Sequence, residues 1–86
     1  MYVVVVYDME AERTQKMLKF LRRYLTHVQN SVFEGDVTKG DLQEIRGYVD
    51  DTLKEGESVI IYELSSENLV DRTVYGDDPA EEKRFL

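Results

Sequence analysis

The chain opens on an unbroken apolar run, Tyr2-Val3-Val4-Val5-Val6-Tyr7, ended by Asp8. A run without polar alternation predicts a central strand covered on both faces rather than an edge strand with one wet side. From Ala11 to Leu25 the spacing becomes helical. Met17, Leu18, Leu21, Tyr24 and Leu25 share one stripe, while Arg13, Lys16, Lys19, Arg22 and Arg23 fill the remainder, so the helix is amphipathic with a basic outer side. Residues 27–37 are rich in strand formers, with Asn30-Ser31 as a bend and Gly35 as a bulge or turn; they read as two short strands or one bent ribbon. Thr38 to Glu55 returns to the helical period through Leu42, Ile45, Val49 and Leu53, with Thr38 or Asp41 as N-cap and Gly56 as the stop. Ser58 to Leu64 is a further apolar strand. Leu69 to Tyr75 alternates more weakly, as an edge or cross-subunit strand does, and Gly76-Asp77-Asp78-Pro79 then breaks the chain before a charged tail.

The order β-α-β-β-α-β with one late strand predicts an α+β, ferredoxin-like domain over residues 1–76 and a C-terminal tail over 77–86. Two helices cover one face of such a sheet. Strands that are apolar on both faces leave the other face to be buried by something else, most simply a second copy, so a homodimer is expected. At 86 residues a second core is excluded, and a domain this small buries only about 60–65% of its unfolded surface.

Composition removes several chemistries. With no cysteine and one histidine, neither a disulfide framework, a thiolate zinc site nor a multi-histidine centre is available, so any metal must be held by oxygen. The apolar run before Asp8 is far shorter than the roughly 20 residues of a membrane span, and a cytoplasmic protein without membrane contact is expected. A net charge of −7 argues against a nucleic-acid partner. Its distribution answers part of that objection: residues 1–40 hold six Lys/Arg and five Asp/Glu, residues 41–86 five and thirteen. Acid is concentrated in the second half, whereas Arg13, Lys16, Lys19, Arg22 and Arg23 place five cations within eleven residues. Alone, such a stripe is an ordinary solvated helix face; duplicated on a dimer, it suits a phosphate backbone without regard to sequence.

Tyr7-Asp8 at the end of the first strand and Val28-Gln29-Asn30-Ser31-Val32-Phe33-Glu34-Gly35 after the first helix resemble the CRISPR-associated protein two family. Ser58-Val59-Ile60-Ile61-Tyr62 is similar to that family's last core strand, and Arg72-Thr73 to Gly76 to its swapped C-terminal segment. The resemblance implies a symmetric dimer with facing sheets, seated between copies of the CRISPR integrase subunit and spanning prespacer double-stranded DNA. It also implies an alternative activity, a magnesium- or other divalent-cation-dependent endonuclease on RNA or duplex DNA.

The resemblance assigns Asp8 a catalytic, metal-binding role, with two copies of its carboxylate facing across the dimer axis; without it, Asp8 is an ordinary strand-end or capping residue. Arg13 matches a family arginine near the site, where a guanidinium grips phosphate in bidentate fashion. Glu10 and Glu12 lie near enough in sequence to assist a metal, but acids at a helix start also complement its dipole. Gln15 and His27 stand where other members have basic residues, and a lone histidine at a strand start is more often structural than a general base. Ser31 and Phe33 correspond to positions lining the dimer cleft, as a phosphate-bonding hydroxyl and a stacking ring; core packing is the competing role for Phe33. The run Ala80 to Leu86 reads as a tail docking on the dimer mate or the integrase, or as a frayed end. Apart from the resemblance, a ferredoxin-like regulatory or toxin-type RNase domain is the remaining reading.

Overall fold

A computed structural model describes residues 1–66, 69 and 71–80. Its elements are β1 (Tyr2–Asp8), α1 (Ala11–Leu21), β2 (Thr26–Gln29), β3 (Val32–Asp36), α2 (Lys39–Thr52) and β4 (Ser58–Leu64). The strands form one antiparallel sheet in the order β2-β3-β1-β4. This is the expected α+β, ferredoxin-like arrangement, with the apolar run of β1 in the interior of the sheet.

The alternation of β1 sorts its side chains. Val3, Val5 and Tyr7 join Met17, Leu21, Leu25, Phe33, Val37, Leu42 and Ile45 in the core beneath the helices. Tyr2, Val4, Val6 and Asp8 take the opposite face. Ladder pairing builds that face in rows: Val32, Val6 and Ile60 in one, Glu34, Val4 and Tyr62 in the next. Ile60 and Tyr62 are 49% and 57% exposed, so this part of the sheet is open. Toward its other end the chain covers the face itself. Arg72 donates from Nε to both carboxylate oxygens of buried Glu34 at 3.0 and 2.9 Å, and from Nη1 and Nη2 to Asp78, each at 2.9 Å. Ala80 is buried as well.

Local chemistry explains the boundaries. Thr38 caps α2 through a full capping box, its hydroxyl accepting from the Asp41 amide at 3.0 Å while the Asp41 carboxylate accepts from the Thr38 amide. The helix ends at Thr52, short of the expected Glu55, because Leu53 turns to extended backbone (ψ 139°); Gly56, at φ +86°, serves the turn into β4 instead. The first helix likewise ends at Leu21, and residues 22–24 continue as a tightened turn through the bonds Arg23 N–H to Phe20 C=O and Tyr24 N–H to Leu21 C=O. Asn30 takes φ +44° in the β2–β3 turn, as expected of the Asn30-Ser31 bend. Gly35 is neither bulge nor turn. It pairs with Val3 inside the ladder, where a Cβ would meet Leu25 Cδ2 at 3.2 Å; the ladder irregularity lies between His27 and Gln29.

Asp71–Tyr75 are in no strand within the single chain, so the late strand finds no partner there; residues 67, 68 and 70 of that stretch lie outside the described residues. The same holds for 81–86, and with them most of the expected docking tail.

Candidate functional site

Two features stand at the C-terminal end of β1 and along the outside of α1. Asp8 is exposed, paired with Ser58 in the last rung of the β1–β4 ladder, on the face that also carries Val6 and Ile60. It borders a groove of about 300 Å³ lined by Asp8, Met9, Glu10, Glu55, Gly56 and Glu57. The lining offers several carboxylates, no nitrogen side chain, and the Met9 thioether as its one sulfur. Among the described residues no three acidic or histidine side chains come together as a ligand cluster. One chain therefore presents an oxygen donor but not a closed cation cage.

Arg13 is not available as the bidentate grip expected of it. Its Nε and Nη2 donate to the two oxygens of Glu57 at 2.7 and 3.0 Å, and Nη2 also reaches the Thr52 carbonyl at 2.6 Å. The edge of the guanidinium that would clasp phosphate thus clasps the protein. Glu57, only 4% exposed at its side chain, additionally accepts from the backbone amides of Lys54 at 2.9 Å and Glu10 at 3.3 Å. Those bonds, the Arg13 bond foremost, hold its carboxyl far below the ordinary range, at about 2. Glu57 escaped the sequence reading because its principal partner is 44 residues away and no motif links them.

Phe33 has no exposed surface within the chain and sits in the core, stacked on His27 at 4.7 Å and near Tyr7 at 6.2 Å between ring centroids, which is the packing role that competed with a stacking one. His27 has a structural place there, with Nε2 at 2.8 Å from the Asn30 carbonyl oxygen. Ser31 is held within the hairpin, its carbonyl accepting from the Tyr7 amide at 3.1 Å. Burial pushes the Tyr7 phenol up, opposed by the charge of Arg22 and by the Ser31 side chain.

The remaining cations stay at the surface. Lys16, Lys19, Arg22 and Arg23 are exposed along α1 and its closing turn. Arg23 lies 5.7 Å from the ring centres of both Phe20 and Tyr24, and Phe20 stacks on Tyr48 of α2 at 3.8 Å. These contacts orient one cation and fasten the two helices together. Beside this basic face, α2 exposes Glu44, Asp50 and Asp51. Glu10 and Glu12 are exposed at the start of α1, and Gln15 is exposed on it.

A ferredoxin-like sheet with both helices on one face, a half-open second face, a strand-end carboxylate and a cationic first helix define a class of small single-sheet α+β proteins. The family model for CRISPR associated protein Cas2 matches residues 1–72, and the chain belongs to that family. It is 43% identical over 76 residues to the CRISPR-associated endoribonuclease Cas2 2 of Archaeoglobus fulgidus, an alignment covering 87% of this chain and 83% of that protein. It is 36% identical over 85 residues to the CRISPR-associated endoribonuclease Cas2 of Haloferax volcanii, covering 99% of each. A solved structure described as a crystal structure of Cas2 superimposes with a TM-score of 0.81 at 44% identity, covering 91% of this chain and 88% of the other.

Proposed function

We propose that this Cas2-family chain acts as a homodimeric scaffold of CRISPR adaptation, holding prespacer duplex DNA on its first-helix cations while it joins the integrase subunit. The observation that carries the reading is the exposed line Lys16, Lys19, Arg22 and Arg23 on a chain that is otherwise acidic. Dimerisation through the open rows of the sheet doubles that line. Ile60 and Tyr62, too exposed for a finished surface, supply the apolar contact, and β4 is an edge strand whose outer hydrogen-bonding groups suit a strand from the partner. The C-terminal segment is the part we assign to the integrase. Arg22→Glu with Arg23→Glu is expected to weaken DNA binding by the reconstituted complex at low salt and to flatten its salt dependence; unchanged binding removes the role of the stripe.

A second reading, favoured by exposed Asp8 at the sheet end and by the endoribonuclease names of the relatives, is divalent-cation-dependent phosphodiester cleavage. An axis running between the two sheets and past the ends of their β1 strands brings two Asp8 carboxylates face to face. All-oxygen donors suit magnesium, which keeps several waters and accepts substrate phosphate. Within one chain the residues fit half of such a site, with Asp8 as the group that holds the ion. When bound, the ion contributes Lewis acidity toward the phosphoryl group and acidifies water. Asp8 orients, and its ladder pairing with Ser58 fixes the backbone that carries the carboxylate. Asp8→Ala is expected to abolish cleavage while sparing dimerisation and spacer integration. Cleavage that survives in the purified variant locates the activity elsewhere.

A further inference from the structure

Neither reading gives Glu57 a task, yet its carboxylate is nearly inaccessible and accepts four hydrogen bonds from three places: the first turn of α1 (Arg13), its N-cap (Glu10) and the loop after α2 (Lys54). Arg13 extends the connection to the last carbonyl of α2, at Thr52. Two of the segments so joined flank Asp8. Glu10 follows it by two residues, and Ser58, its ladder partner, is next in sequence to Glu57. The N-cap of α1 has no side-chain cap of its own, and Glu57 delivers a carboxylate to that helix start from across the loop.

We propose that Arg13 and Glu57 are one positioning unit whose task is to fix the Asp8 carboxylate, and that Arg13 does not touch nucleic acid. The inference rests on Asp8 being the group that faces the metal. Asp8 is the final rung of β1, and the Met9-Glu10 turn beyond it has no ladder to hold it. A metal-facing carboxylate needs placement to within about 0.5 Å, which only a rigid support secures. A guanidinium is a planar fork, and clasped on both sides it is such a support. As a stability device a desolvated ion pair is a poor choice, since burying both charges costs much of what their attraction returns. As a geometric device it is a good one: it is directional, and with Glu57 ionised down to about pH 2 it persists at any working pH.

The test compares the full-length wild type with Arg13→Gln, Glu57→Gln, the double variant and Asp8→Ala, each checked for retained fold by circular dichroism. Manganese(II) binding is followed by electron paramagnetic resonance, duplex DNA affinity is measured across a salt series, and cleavage is assayed where present. Each single variant is expected to weaken manganese binding about 10- to 100-fold, as loss of a supporting partner does. The double variant should lose no more than either single one, the salt slope should match wild type, and any kcat loss should leave KM unchanged. A salt slope reduced by about one per chain in Arg13→Gln identifies a phosphate contact and overturns the proposal. So does manganese binding within twofold of wild type in both folded single variants. If wild type binds manganese no better than Asp8→Ala, the metal reading itself has failed; the positioning claim is then decided by the ¹³C carboxyl resonance of Asp8, whose displacement in Arg13→Gln and Glu57→Gln supports it and whose constancy overturns it. Should Glu57→Gln not fold, Arg13→Lys, which keeps the charge but lacks the fork, carries the same comparison.

Discussion

Phe33 offers the sharpest test of how sequence position and physical role diverge in this protein. The ring is wholly buried, with His27 stacked at 4.7 Å and Tyr7 at 6.2 Å. Burial of a side chain of this size contributes about 1.5–3 kcal/mol, and each ring contact adds about 0.5–1.5 kcal/mol. With the cavity left behind, Phe33→Ala should cost about 3–5 kcal/mol, a large share of the roughly 5–15 kcal/mol of a whole domain. That variant is too damaged to report on binding, so the informative change is Phe33→Leu. It keeps most of the volume and loses the ring contacts, at about 1–1.5 kcal/mol, lowering Tm by about 4–12 °C in a domain of this size. The assay pairs thermal unfolding at fixed protein concentration with DNA affinity at fixed salt. We expect a lower Tm and wild-type affinity. An unchanged Tm with a tenfold loss of affinity would refute the core assignment and restore the ring to the nucleic-acid surface.

Acid denaturation should carry the mark of Glu57. Its folded carboxyl titrates near 2 and an unfolded one near 4.5, so its stabilising contribution is complete above the higher value and disappears as pH falls toward the lower one. Glu57→Gln should therefore be less stable than wild type at neutral pH, with the two curves converging near pH 2; a constant gap from pH 7 to 2 contradicts the shift. Arg72→Met should cost up to about 3 kcal/mol by removing the guanidinium that clasps buried Glu34 and Asp78, and the double change Glu34→Gln with Arg72→Met should recover part of it. Urea unfolding of Arg72→Met, Glu34→Gln and the double variant measures this, and additive losses would show that the two side chains are not coupled in solution.

Features governed by neighbouring residues could be read directly. The Thr38 capping box, the Asn30 turn and the helical stripe of Met17 and Leu21 all depend on chemistry within four or five positions, and each is where the pattern placed it. The end of α2 misled because Leu53 sits four residues after Val49, at helical spacing, although its backbone is already extended. The site was harder. Arg13 and Phe33 have the composition of a nucleic-acid contact; Arg13 is turned inward by Glu57, 44 residues away, and Phe33 by its register opposite Val5, a pairing with a strand 28 residues earlier. Ion pairs across loops and the choice of strand partner leave no periodic trace, so neither residue reveals from sequence which way it faces. The exposed cations of α1 suffered no such ambiguity, because the opposite side of the same helix was visibly occupied by core residues.

The side-by-side placement of a cationic α1 and an anionic α2 has a consequence for approach. A polyanion nearing the helix layer is drawn to one half and repelled by Glu44, Asp50 and Asp51 on the other, so its heading is selected before contact. Packed helices lie about 8–10 Å apart, comparable to the roughly 8 Å screening distance of physiological salt. Discrimination between the two halves is therefore strong in dilute buffer and fades as ionic strength rises, so a polyanion would then meet this layer in more than one orientation.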